Sequence, residues 1–110
     1  MSNWDIRSLE LEPRHPQVLA SDDEMRVIAI NLPGGESLQE HQVHERAVLF
    51  VADGRIELQR ADGNTLTVGS GFVAEFKPTE RREIRALDDS RLVLVLAPWP
   101  GEGHPSQPTG

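Results

Sequence analysis

The stretch Ala47-Val48-Leu49-Phe50-Val51-Ala52-Asp53-Gly54-Arg55-Ile56-Glu57-Leu58-Gln59-Arg60-Ala61 decides the fold class. Its first six residues are all apolar, and Val48, Phe50 and Val51 favour a strand over a helix. Asp53-Gly54 then supplies a dipeptide that tolerates the positive φ of a tight hairpin. On the return, Ile56 and Leu58 alternate with Arg55, Glu57 and Gln59, so one face is dry and the other wet. Two strands are predicted, over 47–52 and 55–61.

Outward from this hairpin the same pattern repeats. Residues 25–32 read as a strand ending at the turn Pro33-Gly34-Gly35, and Asp62-Gly63-Asn64 makes another turn. Residues 65–68 alternate, Gly69-Ser70-Gly71 turns, 72–76 run towards Pro78, and 83–87 alternate again. Residues 91–97 are apolar enough to be buried on both faces. The fold class is therefore all-β. Ile56, Leu58, Leu66, Val68, Val93 and Val95 occupy the apolar phases and are expected in the core.

A helix competes for one segment. Ser21-x-x-Glu24 and Ser37-x-x-Glu40 both match the capping box, and residues 36–53 contain neither Gly nor Pro. Against it, the apolar residues of 47–52 are contiguous, whereas a surface helix spaces them by three and four.

The chain has 110 residues, enough for one hydrophobic core. Cysteine is absent, which excludes disulfides, thiolate metal sites and cysteine nucleophiles, so that any metal must rely on His and carboxylate ligands. A formal charge of −7 opposes attraction to phosphate backbones, and the arginines form no continuous basic stripe, so no nucleic-acid partner is expected. No apolar run approaches the length of a membrane span, and residues 1–7 lack the pattern of a signal segment, so a cytoplasmic protein without membrane contact is expected. Pro98-Trp99-Pro100-Gly101 and the polar residues after it cannot hold a ladder of backbone hydrogen bonds. The organisation expected is an arm and edge strand over 1–24, a barrel over 25–98 and a Pro/Gly-rich tail over 99–110.

The order Pro33-Gly34-Gly35-Glu36-Ser37-Leu38-Gln39-Glu40-His41, then the apolar strand and Gly54, resembles the first motif of the small single-domain cupins. Gly71, Phe72-Val73-Ala74-Glu75-Phe76, Pro78, Glu83-Ile84-Arg85-Ala86 and Asp88-Asp89-Ser90 resemble the stretch that closes the barrel in that family. The resemblance implies a cupin-type double-stranded β-helix, a jelly-roll barrel with a pocket. It also implies a homodimer, for which residues 4–11 are the candidate contact.

Metal-binding cupins carry two histidines one residue apart and a glutamate in the first motif, and a third histidine past the proline of the second. Here His41 and His44 are separated by two residues, no glutamate stands at the expected later spacing, and Arg82 occupies the place of the second-motif histidine. The family's four-ligand site is not written in this chain. A smaller cluster of His41, His44 and a carboxylate, with Glu40, Glu45 or Glu75 as candidates and Glu45 sharing the strand parity of His41, would offer nitrogen and oxygen ligands to a divalent metal: zinc, iron, manganese or nickel. Since successive strand residues face opposite ways, His41 and His44 meet at one ion only if the chain turns between them. Otherwise His41 is a polar residue at the barrel mouth and His44 a loop residue in solvent.

Arg82 would repel a cation at the place where the family histidine holds one. Its planar fork of donors suits a carboxylate or phosphate, giving an anion-binding pocket of His41, Phe50, Phe76 and Arg82. The competing reading pairs Arg82 with Glu80 or Glu83 on the surface. Three functions follow: a barrel that binds a small molecule, a carboxylate among the candidates; a metal-dependent oxygenase or isomerase using His41 and His44; or a non-catalytic regulatory domain working through its surface. Ser70, between two glycines, lacks the strand-to-helix setting of a nucleophile elbow.

Overall fold

The computed structural model describes residues 1–38, 46–60, 62–77 and 82–97. Nine strands run through them: β1 Gln17–Ser21, β2 Arg26–Leu32, β3 Ser37–Leu38, β4 Arg46–Asp53, β5 Arg55–Arg60, β6 Thr65–Gly69, β7 Val73–Phe76, β8 Arg82–Ala86 and β9 Ser90–Ala97. No helix occurs among the described residues, so none is long and apolar enough to cross a membrane. The capping-box pattern at Ser21 belongs to a turn, in which the Asp22 carboxylate accepts from the backbone N–H groups of Glu24 and Met25 (2.8 and 2.9 Å). Short polar side chains compete with a helix in this way. Residues 36–53 are likewise not one helix, since they begin in β3 and end in β4.

Two antiparallel sheets form the barrel, one of five strands in the order β1-β2-β9-β4-β7 and one of four in the order β3-β8-β5-β6. Between them lie Ile30 and Leu32 of β2, Leu49 and Val51 of β4, Ile56 and Leu58 of β5, Ile84 and Ala86 of β8, and Leu92, Leu94 and Leu96 of β9. Burial in β9 alternates strictly. Its inward phase is the leucines, and Val93 and Val95, expected in the core, are half-buried on the outer face. The reason is register: Leu92 and Leu94 pair with the buried Val51 and Leu49 of β4, which places the valines with Phe50 and Val48 outside. Leu66 also departs from expectation and is exposed. It pairs with the buried Leu58, but β6 is an edge strand, so no neighbour covers its far side.

The two ends of the barrel differ. At one, β4 passes into β5 through Gly54 alone, with φ at 94°. A Cβ there would lie 2.3 Å from Ser90 Oγ and 2.4 Å from the Asp89 carbonyl oxygen. Ser90, fully buried, donates from its hydroxyl to the Asp88 carbonyl at 2.7 Å and to the Arg55 carbonyl at 3.2 Å. The Gly34 N–H donates to Asp89 Oδ1 at 2.8 Å, which ties the turn after β2 to the same corner. At the other end stand the first residues of β2, β4 and β8 and the last residues of β5 and β7: Arg26, Arg46, Arg82, Arg60 and Phe76.

Residues 4–11 form no strand; the chain turns at Asp5, and Arg91 donates to the Ile6 carbonyl at 2.9 Å and to the Leu9 carbonyl. This arm is held against its own sheet, and the edge strand of residues 1–24 is β1.

Candidate functional site

At the arginine-rich end the first residue of β8 in one sheet stands against the last residue of β7 in the other. On β8 the burial alternates, with Arg82, Ile84 and Ala86 facing inward. Arg82 is 8% exposed. Its guanidinium carbon stands 4.7 Å from the centroid of the Phe76 ring. Phe76 ends β7 in the other sheet, paired with the buried Ala47 of β4, so this contact spans the barrel mouth from sheet to sheet. Cation over ring is an attractive geometry whose strength grows on desolvation. This corrects the placement of Arg82 on the surface beside Glu83, which β8 presents on the opposite phase; Glu80, the other expected partner, lies outside the described residues.

Phe50 does not join this pocket. It is 39% exposed, between the fully buried Leu49 and Val51, and faces outward across from Val73 and Val93. A contiguous apolar run concealed the phase; only pairing with β7 and β9 sets it. His41, His44 and Glu45 lie outside the described residues, in the connection from β3 to β4.

Register brings a residue to the site that sequence reasoning passed over. Arg60 is the Cα partner of Arg82 on the neighbouring strand β5, on the same face as Leu58 and Ile56. Cross-strand partners have Cβ atoms about 4.5–5.5 Å apart. Arg60 is also paired with Asp62 at 3.3 Å. The Asp62 carboxylate accepts from the Asn64 backbone N–H at 2.9 Å and from its side-chain amide at 3.1 Å. That backbone hydrogen bond, above all, holds the Asp62 carboxyl below the usual carboxylate range against a smaller effect of desolvation, and the Arg60 charge adds to it. Arg26 starts β2 in the phase of Ile28, Ile30 and Leu32, which face the core. The inward phase at this end thus carries Arg26, Arg60 and Arg82 over an apolar floor. The signal in the sequence was present: each of these arginines lies two residues from a core aliphatic, but parity alone does not say which strand ends share a mouth.

Among the described residues no group of three His, Asp or Glu side chains could hold a metal ion. The inward position at the start of β8 is a guanidinium, permanently charged, which opposes a cation beside it. The described residues do not fit the family's metal site.

A family model described as a cupin domain matches residues 27–98. The chain belongs to the cupin family. Solved structures with the same fold include an RmlC-like cupin from Desulfovibrio desulfuricans, 13% identical, TM-score 0.77, covering 88% of this chain and 95% of its own. A double-stranded β-helix protein from Klebsiella pneumoniae is 16% identical, with a TM-score of 0.75 and coverage of 88% and 90%. KdgF from Halomonas sp. is 17% identical, with a TM-score of 0.72 and coverage of 83% and 86%. A search of curated proteins finds no match. At these identities the likeness carries the cupin fold; function has to be argued from the site.

Proposed function

We propose that this cupin binds a small molecule bearing a carboxylate, held in the barrel mouth by Arg82 over Phe76. The observation that carries the reading is the inward guanidinium, 8% exposed and 4.7 Å from the Phe76 ring centroid. A buried, fixed positive charge with an apolar floor of Leu58, Ile84 and Leu96 suits a ligand with an anionic head and an apolar body. His41, matched to the family's first motif in the sequence, is the candidate second contact. The reading is of a binding protein; no catalytic step is assigned.

The test uses butyrate and its neutral isostere butyramide, with binding followed by amide chemical shifts of the barrel-mouth strands. Butyrate is expected to bind and butyramide not, and Arg82→Gln is expected to abolish the butyrate shifts while the spectrum stays that of a folded chain. Equal responses to the two probes, or butyrate binding undiminished in Arg82→Gln, would remove the reading.

A further inference from the structure

We propose that β6 is the contact through which two copies of this chain pair, edge to edge and antiparallel, joining their four-stranded sheets into one continuous sheet. The inference is independent of the anion site and begins from the edges of the two sheets, which among the described residues are β1, β7, β3 and β6. An edge strand offers unpaired backbone groups to another chain, and proteins blunt it with shortness, bulges, charge or proline. β1 carries a register shift between Val18 and Ala20, β3 is two residues long, and β7 has four residues with Glu75 among them. β6, Thr65-Leu66-Thr67-Val68-Gly69, has none of these devices. It is regular over five residues, holds neither charge nor proline, and its first three residues are exposed.

The open side of β6 follows from the ladders around β5. The Arg60 N–H donates to the Asn64 carbonyl, and the Leu87 N–H donates to the Arg55 carbonyl. Arg60 therefore turns its backbone groups towards the β6 side and Arg55 its own towards the β8 side. Alternation then points the N–H and C=O of Leu66 and Val68 at β5, and those of Thr65 and Thr67 outward. Antiparallel pairing about a two-fold axis at Thr67 sets Thr67 against its own copy as a hydrogen-bonded pair. It also sets Leu66 against the partner's Val68. Cross-strand neighbours share a face, so Leu66, 39% exposed beside the buried Leu58, gains the apolar neighbour that no described strand provides on its far side. No charged residue enters the pairing, and Thr opposite Thr is a favourable cross-strand pair. The chain's own residues 98–110 suit this edge poorly, because Pro98, Pro100, Pro105 and Pro108 cannot donate to a ladder. A five-residue edge, about 17 Å long, buries less than the roughly 800 Å² per partner of a standard interface, so the dimer is weak and concentration-dependent.

Sedimentation equilibrium on the full chain, from about 10 μM to about 1 mM, is expected to show reversible dimerisation within that range. Over the same range the Thr65 and Thr67 amides should exchange with solvent more slowly, by about twofold once half the chains are paired. Thr67→Lys places a charge at an exposed position and sets it against its own copy, so the variant should fold and associate at least about fivefold more weakly. Val73→Lys, on the exposed edge strand β7, is expected to leave association unchanged. A monomer throughout the range, or dimerisation that Thr67→Lys leaves intact, overturns the inference. Association that Val73→Lys abolishes and Thr67→Lys does not overturns it too, and assigns the contact to the outer face of the five-stranded sheet. Should Thr67→Lys fail to fold, wild-type amide exchange decides, since Thr65 and Thr67 rates independent of concentration rule out the pairing.

Discussion

Arg82 and Phe76 belong to different sheets, and the Arg82 guanidinium carbon lies over the Phe76 ring, 4.7 Å from its centroid, in a contact between the two sheets. Phe76→Leu keeps an apolar side chain but removes the ring face. It is expected to destabilise the fold by about 1–2 kcal/mol, the combined effect of a desolvated cation–π contact and imperfect repacking. Urea denaturation measures the loss. Butyrate affinity should fall with it, because the guanidinium no longer has a platform.

Adjacent residues of β4 should respond very differently to truncation. Leu49 is fully buried and Phe50 is 39% exposed. Leu49→Ala is expected to cost about 2–5 kcal/mol through lost burial and the cavity left behind. Phe50→Ala, although it removes more atoms, should cost clearly less. Equal losses in chemical denaturation would contradict the assignment of Phe50 to the outer face.

Two glycines with the same backbone conformation provide a second contrast. Gly54 and Gly63 have φ of 94° and 88°, so alanine is strained at both, by about 1–3 kcal/mol. A Cβ at Gly63 meets nothing within 4 Å, whereas at Gly54 it runs into backbone atoms of Asp89 and Ser90. Gly63→Ala should therefore fold with a lowered melting temperature. Gly54→Ala should be destabilised well beyond it, or fail to accumulate as folded protein.

Asp62 gives a pH dependence with a definite sign. Its carboxyl is held below the usual value, chiefly by the Asn64 backbone N–H. A carboxylate favoured in the folded state contributes stability that is fully present above its unfolded value of about 3.9 and is lost as pH falls through the lower folded value. An NMR titration should place the Asp62 midpoint below 3.9, with the Asn64 amide signal moving in the same step. Arg60→Gln should raise that midpoint. An Asp62 midpoint at or above the ordinary value would contradict the turn geometry.

Metal content distinguishes the anion site from its metal-dependent rival. Elemental analysis of protein purified without an affinity tag is expected to find more divalent metal in Arg82→His than in wild type, since a neutral imidazole replaces a fixed positive charge. Should wild type carry stoichiometric metal that His41→Ala loses, the metal-dependent reading would displace the anion site.

Much of the architecture was legible from local signals. The turns Pro33-Gly34-Gly35, Asp53-Gly54 and Asp62-Gly63-Asn64 separate strands in the structure, and the alternation of Ile56 and Leu58 with charged residues gives the inward phase of β5. These signals are reliable because turn conformation and side-chain alternation depend on a few neighbouring residues. Where both phases of a strand are apolar, as in β9 and β4, alternation still holds but no longer says which phase is inside.

The amino-acid sequence by itself determined that this chain is an all-β barrel built from short hairpins, lacks cysteine chemistry, and departs from the cupin metal motif at Arg82. Only the tertiary structure decided that the leucines of β9 face the core and its valines do not, that Phe50 points away from the pocket, and that Arg82 lies on Phe76 and opposite Arg60. The physical reason is that these relationships join residues from different strands and sheets. Strand pairing fixes their register over the whole barrel, and a shift of one residue would exchange inside for outside without altering any local pattern.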